Sequence, residues 1–287
     1  MQLTVLGTAT PYPRPGNACS GYLLQSKIGE NTTSLWLDAG TGTLAELQRH
    51  LALTDLDAIF VSHRHADHTA DLLVAYYALR FSALRPHGRI RVFGPEALVD
   101  RLAEFLGPDA LPALHEVFEF VELSGWGEAV VGDLALSWGP VAHGVPAFAL
   151  TVVGPAAPGP VASGAAPGPA ASGATRSPAS GAAPGPADGT STFTYSGDTA
   201  PCISLVEMAE QSSVLLCEVG YARDALGVAA VHHTPEDAGR TATVAGVDTV
   251  ILTHLADDLD AADALRRTRA HFAGQIVLAE PGAAYPL

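Results

Sequence analysis

The chain has 287 residues, 48% of them hydrophobic, with 30 acidic against 15 basic residues and a formal net charge of −15. That length supports a sizeable core in one large domain or two small ones, and no apolar run reaches the roughly 18 residues needed to cross a bilayer. So acidic a chain repels polyanions and disfavours RNA or other sequence-independent nucleic-acid binding, yet it is compatible with a small anionic substrate held by metal ions.

The segment Met1-Gln2-Leu3-Thr4-Val5-Leu6-Gly7 lacks the basic start and long apolar core of a signal peptide and is expected as a first strand. Residues 2–6, 21–24 and 34–37 have strand composition, with a rigid turn-rich loop over 7–16. Asp38-Ala39-Gly40-Thr41-Gly42 closes the third strand, and 44–51 reads as a short helix. Asp38 suits either a plain turn or the support of a neighbouring ligand, and is not assigned as a ligand. The three cysteines, Cys19, Cys202 and Cys217, are widely spaced and form no CxxC pair. They fit a reducing cytosol, so a cytoplasmic location is expected.

The apolar run 58–61 leads into Ser62-His63-Arg64-His65-Ala66-Asp67-His68-Thr69-Ala70-Asp71. Three histidines and an aspartate within six positions at a strand end are hard to explain by packing, and imidazole and carboxylate are preferred ligands of zinc and related ions. Along an extended loop, side chains two apart project the same way, so His63 and His65 can converge on one ion. Asp67 and His68, further round the turn, can reach a second. Residues 72–84 have apolar positions at helical spacing, which places Tyr76, Tyr77 and Phe81 in the core. Arg80, Arg85, Arg89 and Arg91, around His87, are the best candidate for a basic patch and read as a solvated charged loop.

A strand is expected over 90–93, a helix opened by proline over 95–106, and strands over 117–123, 134–138 and 148–153. His143 lies at another strand end, which makes it a candidate ligand. From 154 to 189 the composition changes, with Ala-Ala-Pro-Gly-Pro at 156–160, 165–169 and 182–186 and Arg176 the sole basic residue. Beyond Val161 this tract has no large apolar side chain to offset ordering entropy, so it is expected as an exposed disordered loop without chemistry.

Structure is expected to resume with a strand over 192–195, and Ser196-Gly197-Asp198-Thr199 puts Asp198 at its carboxyl end, where α/β layouts place functional groups. A helix over 204–209 and a strand over 214–217 ending at Glu218 follow. Thr234–Asp237 forms a capping box with proline just inside, opening a helix to Ala245, which leaves His232 and His233 unexplained. His254 lies beyond a strand over 249–252, and a helix over 261–272 and strand over 275–278 close the chain. Collected, His63, His65, Asp67, His68, His143, Asp198 and His254 make seven ligands for two ions, and a carboxylate such as Asp198 can bridge both. Zinc is the expected metal, with manganese as the alternative. Such ions lower the pKa of a shared water towards about 7, and a pair roughly 3.5–4 Å apart neutralises charge developing on a phosphoryl group.

These motifs resemble the metallo-β-lactamase fold superfamily, in its ribonuclease Z-like branch. The matching pieces are His63-x-His65-x-Asp67-His68, His143 with Val145-Pro146, Tyr195-Ser196-Gly197-Asp198-Thr199, Cys217-Glu218, His232-x-Thr234 and Leu252-Thr253-His254. They follow the family's order across nearly the whole chain outside the low-complexity tract. The resemblance implies one hydrolase domain over 1–287, an α/β (α+β) fold in which an αβ/βα sandwich of two mixed β-sheets is flanked by helices, with metals at one edge. It implies that His63, His65 and His143 hold one zinc, that Asp67, His68 and His254 hold the other, and that Asp198 bridges them. His232 matches a histidine that protonates the leaving oxygen or holds a phosphate oxygen, Glu218 the acid that orients it, and Asp67 a group assisting proton transfer. His233 reads as a surface neighbour. Members of this family often form homodimers.

Two departures bear on substrate. Ribonuclease Z proper carries a protruding basic arm between the third histidine and the bridging aspartate, where this chain has the Ala/Gly/Pro/Ser tract. After His254 the family's Ser-x-Arg-Tyr-type continuation is replaced by Leu255-Ala256-Asp257-Asp258. Both turn the expectation towards a dinuclear zinc phosphodiesterase acting on a small or single-stranded phosphodiester or nucleotide, cyclic nucleotides being a candidate. The alternative is a ribonuclease Z-type tRNA 3′-processing endoribonuclease with a reduced arm. A non-enzymatic binding protein of this family would usually have lost ligands, and none is missing here.

Overall fold

Consecutive apolar residues dominate most of the strands because both faces of each sheet are covered. The computed structural model describes residues 1–84, 88–107, 109–157, 189–223 and 229–287. In chain order the first half comprises β1 (Gln2–Ala9), β2 (Ala18–Cys19), β3 (Gly21–Ile28), β4 (Asn31–Leu37), α1 (Thr43–Leu47), β5 (Ala58–Phe60), α2 (Ala66–Phe81) and β6 (Ile90–Pro95). Next come α3 (Leu98–Leu106), α4 (Ala110–Val117), β7 (Phe118–Leu123), β8 (Gly127–Val131), β9 (Leu134–Pro140) and β10 (Phe148–Pro155). The remainder holds β11 (Thr190–Tyr195), α5 (Ile203–Ala209), β12 (Val214–Glu218), α6 (Pro235–Ala245), β13 (Thr249–Thr253), α7 (Ala261–Arg269), β14 (Gln275–Leu278) and β15 (Ala284–Pro286).

Among the described residues the strands form two mixed sheets, ordered β15-β1-β3-β4-β5-β6-β7, with β2 alongside β1, and β14-β13-β12-β11-β10-β9-β8. The β4–β7 and β11–β14 stretches are parallel. Period-2 alternation sorts the side chains into layers. In β4, Leu35 and Leu37 enter the core between the sheets, while Trp36 packs into the layer with α1–α4. In β12, Leu216 faces the inter-sheet core, while Leu215 and Cys217 pack with the residues of α5–α7. This is the αβ/βα sandwich that the family resemblance implies, and no described helix is long and apolar enough to cross a membrane.

Several local expectations need correction. Pro95 ends β6, paired with Leu123, and the following helix starts only at Leu98. Ala97 adopts a left-handed backbone (φ 60°) at that boundary, a turn that proline alone does not announce. Helix α4 was not expected: its Pro112 lies in the first turn, where a missing N–H breaks no helical bond. Tyr76 is buried as expected, but Tyr77 and Phe81 are 52% and 66% exposed, on the side of α2 turned away from the sheet. Arg80 and Arg89 pair with Glu116 and Glu119, which offsets the basic patch; Arg85 and His87 lie outside the described residues.

The low-complexity tract starts later than its composition implies. Gly154 and Pro155 belong to β10 and pair with Ser191 and Thr190 of β11; residues 158–188 lie outside the described residues. The backbone bond from Ala156 N to Gly189 O (2.9 Å) draws the ends of that stretch together. Replacing residues 158–188 with a short glycine-containing turn should therefore preserve the hairpin and the fold. Circular dichroism and thermal melting would check this, and loss of the cooperative transition would refute it.

Candidate metal centre

The parallel strands deliver their carboxyl ends to one edge of the sandwich, the usual place for functional groups in α/β sheets. Asp38 follows β4, His63 and His65 follow β5, Asp198 follows β11, Glu218 ends β12 and His254 follows β13. Asp67 and His68, further round the turn, occupy the first turn of α2. That helix is pressed against the β4 loop by bonds from Ala39 N to His68 O (2.7 Å) and from Asp71 N to Ala39 O (2.9 Å). Gly40 is required there: a Cβ would lie 2.0 Å from the Asp67 carbonyl oxygen. A backbone bond from Phe148 N to Ser62 O (2.9 Å) joins the two sheets beside the site.

One set of nitrogens is formed by His63 Nε2, 3.0 Å from His65 Nδ1, which is itself 3.2 Å from His143 Nε2. Their outer nitrogens fix the tautomers. His143 Nδ1 donates to the Val231 carbonyl (2.8 Å), so Nε2 keeps its lone pair for the centre. Ser62 Oγ donates to Asp38 and accepts from His63 Nδ1 (3.0 Å), with the same result. The second set is Asp67, His68 and His254, in contact with Asp198. A single oxygen, Asp198 Oδ2, lies 3.2 Å from His254 Nε2, 3.4 Å from His68 Nε2 and 3.7 Å from His63 Nε2. It thus sits between the two sets. His254 is steadied by Ser20 Oγ, 2.9 Å from its Nδ1, and Thr10 Oγ1 donates to Asp67 (3.4 Å).

The donors fit divalent cations. His68 Nε2 and Asp198 Oδ1 are buried without a hydrogen-bond partner, a state that costs about 1–3 kcal/mol per group when nothing else satisfies it. The electrostatics carry the same demand. Burial opposes ionisation of Asp198, but His254, His68 and His63 hold it well below the usual carboxylate range. Burial would also lower His68, yet Asp198 and Asp38 carry it well above the ordinary imidazole value. Burial and neighbouring imidazoles push His63 well down, and burial with His143 lowers His65.

Two further carboxylates organise the surroundings without facing the centre. Asp38 accepts from Ser62 N (2.7 Å), Ser62 Oγ (2.7 Å), His68 Nδ1 (2.6 Å) and Tyr195 OH (2.6 Å). It supports candidate ligands, one of the two readings its position allowed. Glu218 Oε1 accepts from Thr199 N (3.0 Å), His233 N (3.0 Å) and His232 Nδ1 (3.2 Å), tying the Asp198 loop to the His232 loop. Gly220 leaves space for His232, since a Cβ would lie 2.6 Å from its Nδ1. Burial opposes protonation of His232, but the hydrogen bond and charge of Glu218, then Asp198, raise its pKa.

His233 is a correction. It is fully buried rather than a surface neighbour, donating from Nδ1 to Thr199 O (2.7 Å), with Nε2 3.0 Å from Thr241 Oγ1. The backbone bends at His232, and the two side chains part: His232 reaches Glu218 at the site while His233 enters the interior.

Residues 33–255 match the β-lactamase superfamily domain. The chain is 28% identical over 279 residues to an uncharacterized protein of Mycobacterium tuberculosis, covering 96% of this chain and 88% of that one. It is 26% identical over 267 residues to a ribonuclease Z of Methanopyrus kandleri, covering 89% and 87%. The crystal structure of the metallo-β-lactamase fold protein YhfI from Bacillus subtilis has a TM-score of 0.75 at 22% identity, covering 99% of this chain and 98% of that one.

Metal binding should be linked to protons with a defined sign. The carboxylates of Asp198 and Asp38 favour a proton on His68, and an entering cation must displace it. Calorimetric titration of zinc in buffers of different ionisation enthalpy should show proton release, and affinity should strengthen from pH 6 to pH 8. A pH-independent affinity with no proton release would contradict this account of the centre.

Proposed function

The chain belongs to the β-lactamase superfamily and is a metal-dependent hydrolase, and from that premise we propose that it cleaves phosphodiester bonds with two divalent ions, zinc foremost. The substrate class is a small or single-stranded phosphodiester, with cyclic nucleotides the concrete candidate. The observation that carries the reading is the position of Asp198 Oδ2, within 3.9 Å of ring nitrogens from His63, His68, His232 and His254. In this reading His63, His65 and His143 hold one ion, Asp67, His68 and His254 hold the other, and Asp198 spans both.

Bound there, the ions would supply Lewis acidity to a phosphoryl oxygen and bring a water's pKa near neutrality. The remaining chemistry belongs to the protein. With Nδ1 engaged by Glu218, His232 has Nε2 free to give a proton to the leaving oxygen, and its raised pKa keeps that proton available near neutral pH. Glu218 orients the ring, and Asp67, bonded by Thr10, assists proton transfer. The acidic balance of the chain and the pairing of Arg80 and Arg89 with glutamates favour a small substrate over a large polyanion. The second reading, tRNA 3′ processing, draws its support from the likeness to the Methanopyrus ribonuclease Z.

Asp198→Ala should lose bound metal and hydrolysis of bis(p-nitrophenyl) phosphate together, measured by elemental analysis and by release of nitrophenolate; full activity would refute the two-ion assignment. His232→Ala should retain metal while kcat falls by about 10²–10⁴, and an unchanged rate would remove its acid role. Assay of the zinc-loaded protein against cyclic AMP, cyclic GMP, short RNA and pre-tRNA separates the two substrate readings. Cleavage of pre-tRNA as efficient as that of cyclic nucleotides would favour the second.

A further inference from the structure

Two buried tyrosines cross the sandwich beneath the metal centre in opposite directions. Tyr195, on β11 of the second sheet, donates to Asp38 Oδ2 (2.6 Å), which follows β4 of the first. Tyr22, on β3 of the first sheet, lies 2.6 Å from Oγ1 of Thr253, the last residue of β13 in the second. Their rings meet edge to face, with centroids 5.3 Å apart, and neither is accessible to solvent.

Each hydroxyl ends one step from a candidate ligand. The Asp38 oxygen that receives Tyr195 also receives His68 Nδ1 (2.6 Å), and Thr253 immediately precedes His254. Tyr195 itself stands three residues before Asp198. The first sheet and its helix carry His63, His65, Asp67 and His68, whereas the second carries Asp198 and His254. The apolar core holds the sheets together without direction, because burial is proportional to area and indifferent to register. Short hydrogen bonds between groups that have no alternative partner in water are directional, and these two span the gap where ligands from both sheets must meet.

We propose that the Tyr195 hydroxyl, with that of Tyr22 as its counterpart, is a positioning group that registers the two halves of the metal centre across the sandwich. The inference rests on the metal-centre reading above. Tyr195 acts through Asp38 on His68, and Tyr22 acts through Thr253 on His254. Neither touches an ion or substrate.

Tyr195→Phe and Tyr22→Phe remove one oxygen each and keep the ring packing. Metal-free proteins would be titrated with zinc against a chromophoric chelator, alongside thermal melting of the metal-free forms and the kcat and KM of the loaded ones. Outer partners of metal-bound histidines typically govern affinity by 10–100-fold, so Tyr195→Phe should bind zinc about tenfold or more weakly, with kcat lowered more than KM is raised. A merely structural hydroxyl would lower the metal-free melting temperature and leave zinc affinity within about twofold of wild type, and that result overturns the proposal. Should Tyr195→Phe fail to fold, Tyr22→Phe decides by the same threshold. Wild-type protein binding one ion would defeat the dinuclear reading alone, because a tenfold loss at that ion would still sustain the positioning role. Wild-type protein binding none would defeat both.

Discussion

The buried carboxylate of Asp38 is the constraint on which the site depends. It sits at a strand end with a left-handed backbone (φ 53°), a conformation that costs a non-glycine residue about 1–3 kcal/mol unless its surroundings over-determine it. Three hydrogen bonds from side chains and one from a backbone amide do so here. They come from the β5 loop, from α2 and from the opposite sheet. One carboxylate therefore settles the His63 tautomer through Ser62, orients His68 directly, and anchors the first sheet to the second.

Glu218 is its counterpart in the second sheet. Its oxygens take backbone amides from Thr199, Gly220 and His233, so the loop bearing Asp198 and the loop bearing His232 are measured from one point. His254, like Asp38, has a left-handed backbone (φ 51°), so each half of the centre holds one strained residue at a strand end. Conformations of this kind persist where a precise side-chain direction is worth their cost. The centre is thus two rigid halves, each with its own supporting carboxylate, joined by polar contacts that cross an otherwise apolar core.

The sequence made the candidate ligands legible because their chemistry is local: imidazoles and carboxylates recur where strands end, and few packing roles explain them. The sandwich was legible through the family resemblance that these motifs carry, and continuous apolar runs such as 58–61 agree with strands covered on both faces. What was not legible depends on distance. Asp38 suits a turn or a supporting group equally well until Tyr195, 157 positions away, donates to it. His232 and His233 are neighbours of one residue type, and only the packing around them sends one to the site and the other into the interior. Strand β8 escaped notice because it is a short edge strand in which Glu128 and Val130 are exposed, a pattern that resembles a loop as much as a strand.

The hairpin of β10 and β11 carries a consequence for how this molecule varies. Its Leu150 and Tyr195 end lies towards the candidate ligands, while Pro155 and Thr190 lie at the other end, some five steps and roughly 17 Å along the strand. Met1 and Leu287 gather there as well: Ala157 N bonds Leu287 O, and Leu287 N bonds Met1 O. The molecule therefore has a chemical pole and an opposite pole where Met1, Leu287 and the borders of the low-complexity tract converge. Changes of length and composition at the second pole fall far from the first. An Ala/Gly/Pro-rich stretch is an unremarkable thing to find at that end, and would be hard to accommodate at the other.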